Sequence, residues 1–300
     1  MGEIVDGLDR ERIAELRSGG RFFWVDLRVP EVTRADLVDV LEVPEHVLAP
    51  LLDFGADVPP SRKFHAGNKH VVFTFTAFDA DDAIEVHVLV CGGYLMTLHE
   101  APDSLPKLLD LQFPEGRSEQ YLVYSVLDAM VITAFDRLNA AANDLEEVQA
   151  MGVNKPTGQR LRRVSATLLR LRRQVAPQRG TFERVSEEID EVEGLPPDSD
   201  RYFTRIADQL ARLVDGIDAA SNAAANLVDL RLNETTYRLT AVATVFLPLT
   251  FLTGFFGMNF AWLVNRIHSF WSFAVLGLGG CVVAAVLTLL VLRLRDNPGS

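Results

Sequence analysis

The chain has 300 residues, 48% of them hydrophobic, with 41 acidic against 29 basic side chains and a formal net charge of −12 at pH 7. That balance argues against nucleic acid as a partner and suits a surface that attracts cations. The two cysteines, Cys91 and Cys281, are too few for a disulfide framework.

The first twelve residues, MGEIVDGLDRER, lack the apolar core of a signal peptide and carry Asp6 where myristoylation needs Ser or Thr. Everything before the first membrane signal is therefore expected in the cytosol. Residues 21–27 (RFFWVDL) predict a buried strand, and Thr33 predicts the N-cap of a helix over 35–41. Pro59 and Pro60 close that unit. Alternating apolar positions predict strands over 70–78 and 84–90, joined by a turn at 79–82, and a further strand over 94–99. Strands mixed with helices give an α+β or small α/β cytosolic domain over residues 1–112. His87 and His99 stand on or beside strands, spaced as core or surface histidines and not as metal ligands. No metal cluster, no nucleophile beside a base and no paired carboxylates are legible, so no enzyme is expected.

From Glu119 the period becomes helical, with Leu122, Val126, Ala129, Ile132, Leu138 and Leu145 on one face. After a break at 153–158 a second helix starts at Gln159, and Leu161, Leu168, Leu169 and Leu171 interleave with Arg160, Arg162, Arg163, Arg170, Arg172 and Arg173. The apolar members make a packed face and the arginines a solvated one. Past Pro177 the composition turns acidic, from Glu183 to Asp200, with Arg184 the lone base. Residues 113–200 thus predict a cytosolic helical hairpin with an acidic tip.

From Tyr202 there is no proline until Pro248, which allows one helix of about 57 residues over 201–258, roughly 85 Å long. Phe203, Ile206, Leu210, Leu213, Ile217, Ala220, Ala224 and Leu227 recur at alternating three and four, a heptad seam that packs against other helices. A second stripe with the same alternation runs opposite it: Asp208, Arg212, Asp215, Ala219, Asn222, Asn226, Asp229, Asn233, Thr236, Thr240, Ala243, Leu247, Thr250, Gly254 and Gly257. Residues 239–259 (LTAVATVFLPLTFLTGFFGMN) carry no charge and are long enough to cross a ~30 Å hydrocarbon core. A second uncharged run, 271–292, follows a connection at 259–270, which predicts a two-span hairpin. Arg231 and Arg238 before the first span and Arg293 and Arg295 after the second, against Arg266 between them, place both termini in the cytosol. Polar positions within a span ordinarily face a bundle interior or an aqueous path. One helix cannot enclose a path, so the stripe predicts several identical chains around an axis; small residues at helix contacts account for the same pattern without a pore. Pro248 leaves the Thr244 carbonyl without its intrahelical donor and predicts a kink.

Residues 246–259 (FLPLTFLTGFFGMN) resemble the CorA family of magnesium and cobalt channels, whose hallmark is Gly-Met-Asn closing the first of two spans. Upstream, residues 23–27, 94–100, 121–130 and 231–234 are also similar to that family. The resemblance implies a funnel-shaped homopentamer in the plasma (inner) membrane, its first span lining the pore and its second span outside. It implies an entrance ring of Gly257, Met258 and Asn259, deeper constrictions at Thr250, Leu247, Leu239 and Asn233, and Mg²⁺ as transported ion with no prosthetic group. Three departures stand out. The connection at 260–270 (FAWLVNRIHSF) has Arg266 and no acid; Thr236 replaces a long apolar gate residue; and Thr204 and Arg205 stand where relatives carry a regulatory aspartate, which leaves Asp208, and with it Asp215 and Asp229, as candidate cytosolic ligands. The alternatives are a zinc-transporting relative or a non-conducting membrane-anchored scaffold or ion sensor.

Overall fold

Strands with apolar side chains on both faces must be covered on both, and the computed structural model of the chain meets that demand with a central sheet between two helical layers. It describes residues 3–55, 64–67, 69–80, 82–111, 117–151, 155–196, 201–257, 271, 275 and 279–296. The chain divides into two compact units, Met1–Ala225 and Asn226–Ser300.

The sheet of the first unit comprises β1 (Glu3–Asp6), β2 (Phe23–Arg28), β3 (His65–Gly67), β4 (His70–Asp79), β5 (Asp82–Cys91) and β6 (Tyr94–His99). Its order is β1-β2-β6-β5-β4-β3. β1, β2 and β6 pair in parallel, and β6, β5, β4 and β3 pair antiparallel. The helices before β6 are α1 (Arg10–Ser18), α2 (Arg34–Asp39) and α3 (Glu45–Leu52); those after it are α4 (Leu105–Leu108), α5 (Glu119–Ala150), α6 (Lys155–Glu188) and α7 (Tyr202–Phe256), and the second unit also holds α8 (Gly279–Asp296).

The alternation read from the sequence sorts onto the two faces. Phe23, Val25, Leu27, Val72, Leu89, Met96 and Leu98 join Ile13, Leu16, Leu37, Val47, Leu48 and Leu51 from α1, α2 and α3 in one buried core. The opposite face carries Phe73 and Phe75, whose rings meet Phe182 of α6 edge-on at 5.9 and 5.8 Å. There the Phe78 N–H donates to Thr133 Oγ1 of α5 at 2.9 Å and the Thr76 N–H to Gln178 Oε1 of α6 at 3.1 Å. Thr33 caps α2 as expected, in a reciprocal capping box with Asp36.

Several expectations need correction. Ile132 is 48% exposed and Leu169 50% exposed, so neither belongs to a packed face. In α5 the buried stripe runs instead through Leu122, Val126, Met130, Ala134, Leu138, Ala141 and Leu145, a spacing of four and three that leaves Ile132 on the far side. The helix after the break begins at Lys155 and continues through Pro177. The described part of the acidic run forms the end of α6, the 3₁₀ turn Ile189–Glu191 and the segment after it, with Val185, Ile189, Val192 and Leu195 buried. Glu193 and Gly194 then pack on Gly92 between β5 and β6, where an added Cβ would come within 2.4 Å of the Glu193 carbonyl oxygen. The Pro59-Pro60 pair lies outside the described residues.

Candidate functional site

The heptad seam and the polar stripe of α7 separate as their periodicity demands. Phe203, Ile206, Leu210, Leu213, Ile217 and Ala224 are buried. Asp208, Arg212, Asp215, Ala219 and Asn222 on the opposite side are exposed. α7 lies against α5 in parallel: Tyr202 stacks on Tyr124 at 5.0 Å, Gln209 Nε2 donates to Asp128 Oδ1 at 2.6 Å, and a Cβ on Gly216 would stand 2.8 Å from Leu138 Cδ2. α6 joins them through Arg172, whose Nε donates to Asp218 Oδ1 at 2.6 Å. That contact holds the Asp218 carboxyl below the usual carboxylate range and raises the Arg172 guanidinium.

In the second unit the stripe continues through Asn226, Asp229, Asn233, Thr236, Thr240, Ala243, Leu247, Thr250, Gly254 and Gly257, all exposed. Exposure there no longer marks one side, because Leu239, Val242, Phe246 and Phe251, off the stripe, are each more than half exposed as well. An apolar surface of that kind needs lipid or other protein chains as cover. Among the described residues α7 is the one helix long and apolar enough to cross a membrane.

Four hydroxyls of this segment are spent within the helix. Thr236 donates to the Leu232 carbonyl at 2.9 Å, Thr244 to Thr240 at 2.7 Å, Thr250 to Phe246 at 2.8 Å and Thr253 to Leu249 at 3.0 Å. Each hydroxyl hydrogen is thereby satisfied without water, and each oxygen keeps lone pairs that can accept from a hydrated ion. α7 remains helical through Pro248. At its end the Gly257 N–H donates to the Thr253 carbonyl at 3.0 Å, and a Cβ on Gly257 would press to 3.1 Å from that oxygen. Met258, Asn259 and the connection bearing Arg266 lie outside the described residues. Asp208, Asp215 and Asp229 are exposed at separate heights on α7, about 10 and 21 Å apart at 1.5 Å per residue, so within one chain they cannot share an ion.

His87 and His99 are built into the core. His87 places Nδ1 2.6 Å from the Leu51 carbonyl and Nε2 2.8 Å from Glu85 Oε1, under the ring of Phe54. His99 accepts from the Ala101 N–H at Nδ1, so its Nε2–H donates to Asp26 Oδ2 at 3.3 Å. Three other histidines correct the expectation that no metal cluster exists. His46, His65 and His70 each offer a ring nitrogen within 4.8 Å of the others. Burial and the two neighbouring imidazoles hold the His70 pKa below the ordinary histidine value. The signal lay in His65 and His70 flanking a tight turn, but His46 joins them only through the placing of α3.

The family model described as CorA-like Mg²⁺ transporter protein matches residues 19–294. A relative from Bacillus subtilis, the putative metal ion transporter YfjQ, is 26% identical over 89% of this chain and 87% of its own length. The cobalt/magnesium transport protein CorA of Thermotoga maritima is 30% identical over 48% of this chain and 43% of its own. The zinc transport protein ZntB of Pectobacterium carotovorum is 35% identical over 41% of this chain and 39% of its own. Among solved structures, the CorA magnesium transporter of Methanocaldococcus jannaschii superposes with a TM-score of 0.60 at 18% identity, over 90% of this chain and 89% of that one. The ZntB cytoplasmic domain of Vibrio parahaemolyticus gives 0.59 at 15% identity, over 71% of this chain and 88% of that one. Taken with an α+β domain followed by a long apolar-ended helix, the match over residues 19–294 means that the chain belongs to the CorA family of metal-ion transporters.

Proposed function

We propose that the chain is a homopentameric divalent-cation channel of the inner membrane, with α7 of each copy presenting its polar stripe to a shared axis and Mg²⁺ as the principal ion. The observation that carries this reading is the stripe itself: an uninterrupted three-four alternation from Asp208 to Gly257, opposite the buried seam. The stripe turns from acidic and amide side chains to hydroxyl and small ones where α7 becomes apolar. Gly257, Met258 and Asn259 then form the pore mouth. Mg²⁺ holds its waters octahedrally and sheds them reluctantly, and a ring of neutral amides can accept hydrogen bonds from the hydrated ion. Rings of carboxylate would hold it too tightly to release. Each charge moving through 100 mV gains ~2.3 kcal/mol, so a divalent ion gains ~4.6 kcal/mol on entering a negative cell and needs no nucleotide.

Mg²⁺ uptake into proteoliposomes under an inside-negative potential tests the reading. Asn259→Ala should cut uptake by roughly tenfold, about 1.4 kcal/mol of barrier; wild-type uptake no greater than in empty vesicles would overturn it. A second reading keeps the architecture and makes Zn²⁺ the cargo. Relatives named zinc transport proteins, 35% identical over 41% of this chain, favour it, as does the acid-free connection with Arg266. Zn²⁺ uptake that exceeds Mg²⁺ uptake at equal concentration would select it.

A further inference from the structure

Three imidazoles meet at the free edge of the sheet. Among the described residues β3 closes the strand order and pairs on one side only, with β4. In that pairing His65 stands opposite Val72 and Gly67 opposite His70, which makes His65 and His70 diagonal neighbours on one face. Val72 on the same face lies in the core covered by α3, and α3 brings His46, its second residue, beside the pair. The ring centroids form a nearly equilateral triangle: 5.3 Å for His46–His65, 5.5 Å for His46–His70 and 5.4 Å for His65–His70.

That spacing has a chemical meaning. Three imidazoles bound at about 2.05 Å to one tetrahedral ion stand with their centroids about 5.2 Å apart and their ligating nitrogens about 3.3 Å apart. The rings therefore already have the required separation, and only their nitrogens must turn inward. His70 is 8% exposed and its Nε2 has no hydrogen-bond partner. The core histidines His87 and His99 behave otherwise: both nitrogens of each are partnered. A Cβ on Gly67 would lie 3.9 Å from His70 Nε2 and 4.0 Å from His65 Nε2, so both nitrogens border the space that Gly67 leaves free.

We propose that His46, His65 and His70 form a binding site for one divalent metal ion of the Zn²⁺ class, separate from the ion pathway of α7. Imidazole is a ligand for Zn²⁺, Co²⁺ and Ni²⁺, whereas Mg²⁺ takes oxygen. His46 is exposed, which leaves the fourth position to water, the arrangement of three protein ligands and one open site. Bound metal staples the edge strand to α3. The site stands whether or not the chain conducts, because none of its ligands belongs to α7.

The test uses the purified full-length protein, stripped with chelator and titrated with Zn²⁺, with Co²⁺ as spectroscopic probe and excess Mg²⁺ present throughout. Wild type should bind one Zn²⁺ per chain at this site, melt at a higher temperature with Zn²⁺, and give the intense visible absorption of tetrahedral Co²⁺. Both signals should persist in Asn259→Ala, which leaves the histidines intact, and binding should weaken at least roughly tenfold in His46→Ala and in His70→Ala. His46 is a surface residue, so its variant stays folded, which circular dichroism checks. Zn²⁺ affinity and Co²⁺ spectra unchanged in both histidine variants would overturn the site, as would signals lost in Asn259→Ala alone.

Discussion

Single residues carry more of the sheet than their number suggests. Asp26, 1% exposed, accepts from Thr97 Oγ1 at 2.5 Å, from the Leu105 N–H at 2.9 Å and from His99 Nε2 at 3.3 Å, and Thr97 in turn accepts from Trp24 Nε1 at 2.8 Å. One carboxylate thus ties β2, β6 and the start of α4 together. Asp26→Ala should lower unfolding free energy by about 3 kcal/mol or more, because three buried donors lose their acceptor at about 1–3 kcal/mol each. Asp26→Asn retains an acceptor and should cost less, both read from denaturant titration of the intact protein. At the surface, Thr33→Ala should cost about 1 kcal/mol through loss of the α2 cap. The Thr33 hydroxyl and backbone N–H, ahead of Arg10, hold the Asp36 carboxyl below its ordinary range. A depressed folded pKa gives stability that is present above the unfolded value of about 4 and is lost as pH falls through the folded one. The stability gap between wild type and Thr33→Ala should therefore be full at neutral pH and shrink in acid below that value.

Elements meet where side chains are absent. The return of the chain from α6 to α7 passes over the β5–β6 turn at Gly92, where backbone meets backbone: a Cβ would lie 2.4 Å from the Glu193 carbonyl oxygen and 2.9 Å from Gly194 Cα. Backbone cannot swing aside as a side chain can. Gly92→Ala should destabilise by about 1–3 kcal/mol, measured as a fall in the thermal midpoint. Gly216→Ala meets only the end of Leu138 at 2.8 Å, a flexible group that can yield, so its cost should be the smaller of the two. Local pattern made β4, β5 and β6 readable nearly to the residue, because an alternating strand in the middle of a sheet is both apolar and long. No element was legible at Glu3–Asp6 or His65–Gly67: these edge strands have four and three residues and are strands only because β2 and β4 hold them.

For the whole molecule, the apolar surface of α7 beyond Asn226 sets the terms. Leu247 is 74% exposed, Phe251 69% and Leu239 67% in a single chain, a surface that needs lipid or other protein chains as cover. Chemical crosslinking in detergent or lipid should give a ladder of five bands; a ladder ending at two, or none, would remove the shared axis from the proposed function. Leu247→Asp, placing a charge on the apolar part of the stripe, should alter the ion flux of the proposed channel and leave the fold of the α+β unit unchanged, checked by far-UV circular dichroism.

The sequence by itself determined whatever depends on order along the chain: the strands β2, β4, β5 and β6, the seam and stripe of α7, the uncharged run from 239 and the Gly-Met-Asn sequence at 257–259. Periodicity is local, and a helix or strand displays it before any partner is chosen. Only tertiary structure decided which side of each pattern is covered. It put Ile132 and Leu169 outside, carried the acidic end of α6 back against Gly92, and gave His99 to Asp26. It also drew His46 to His65 and His70 across a sheet edge. Those outcomes rest on contacts between residues far apart in sequence, fixed by the stacking of α3, α5 and α6 on the sheet, and no spacing along the chain encodes them.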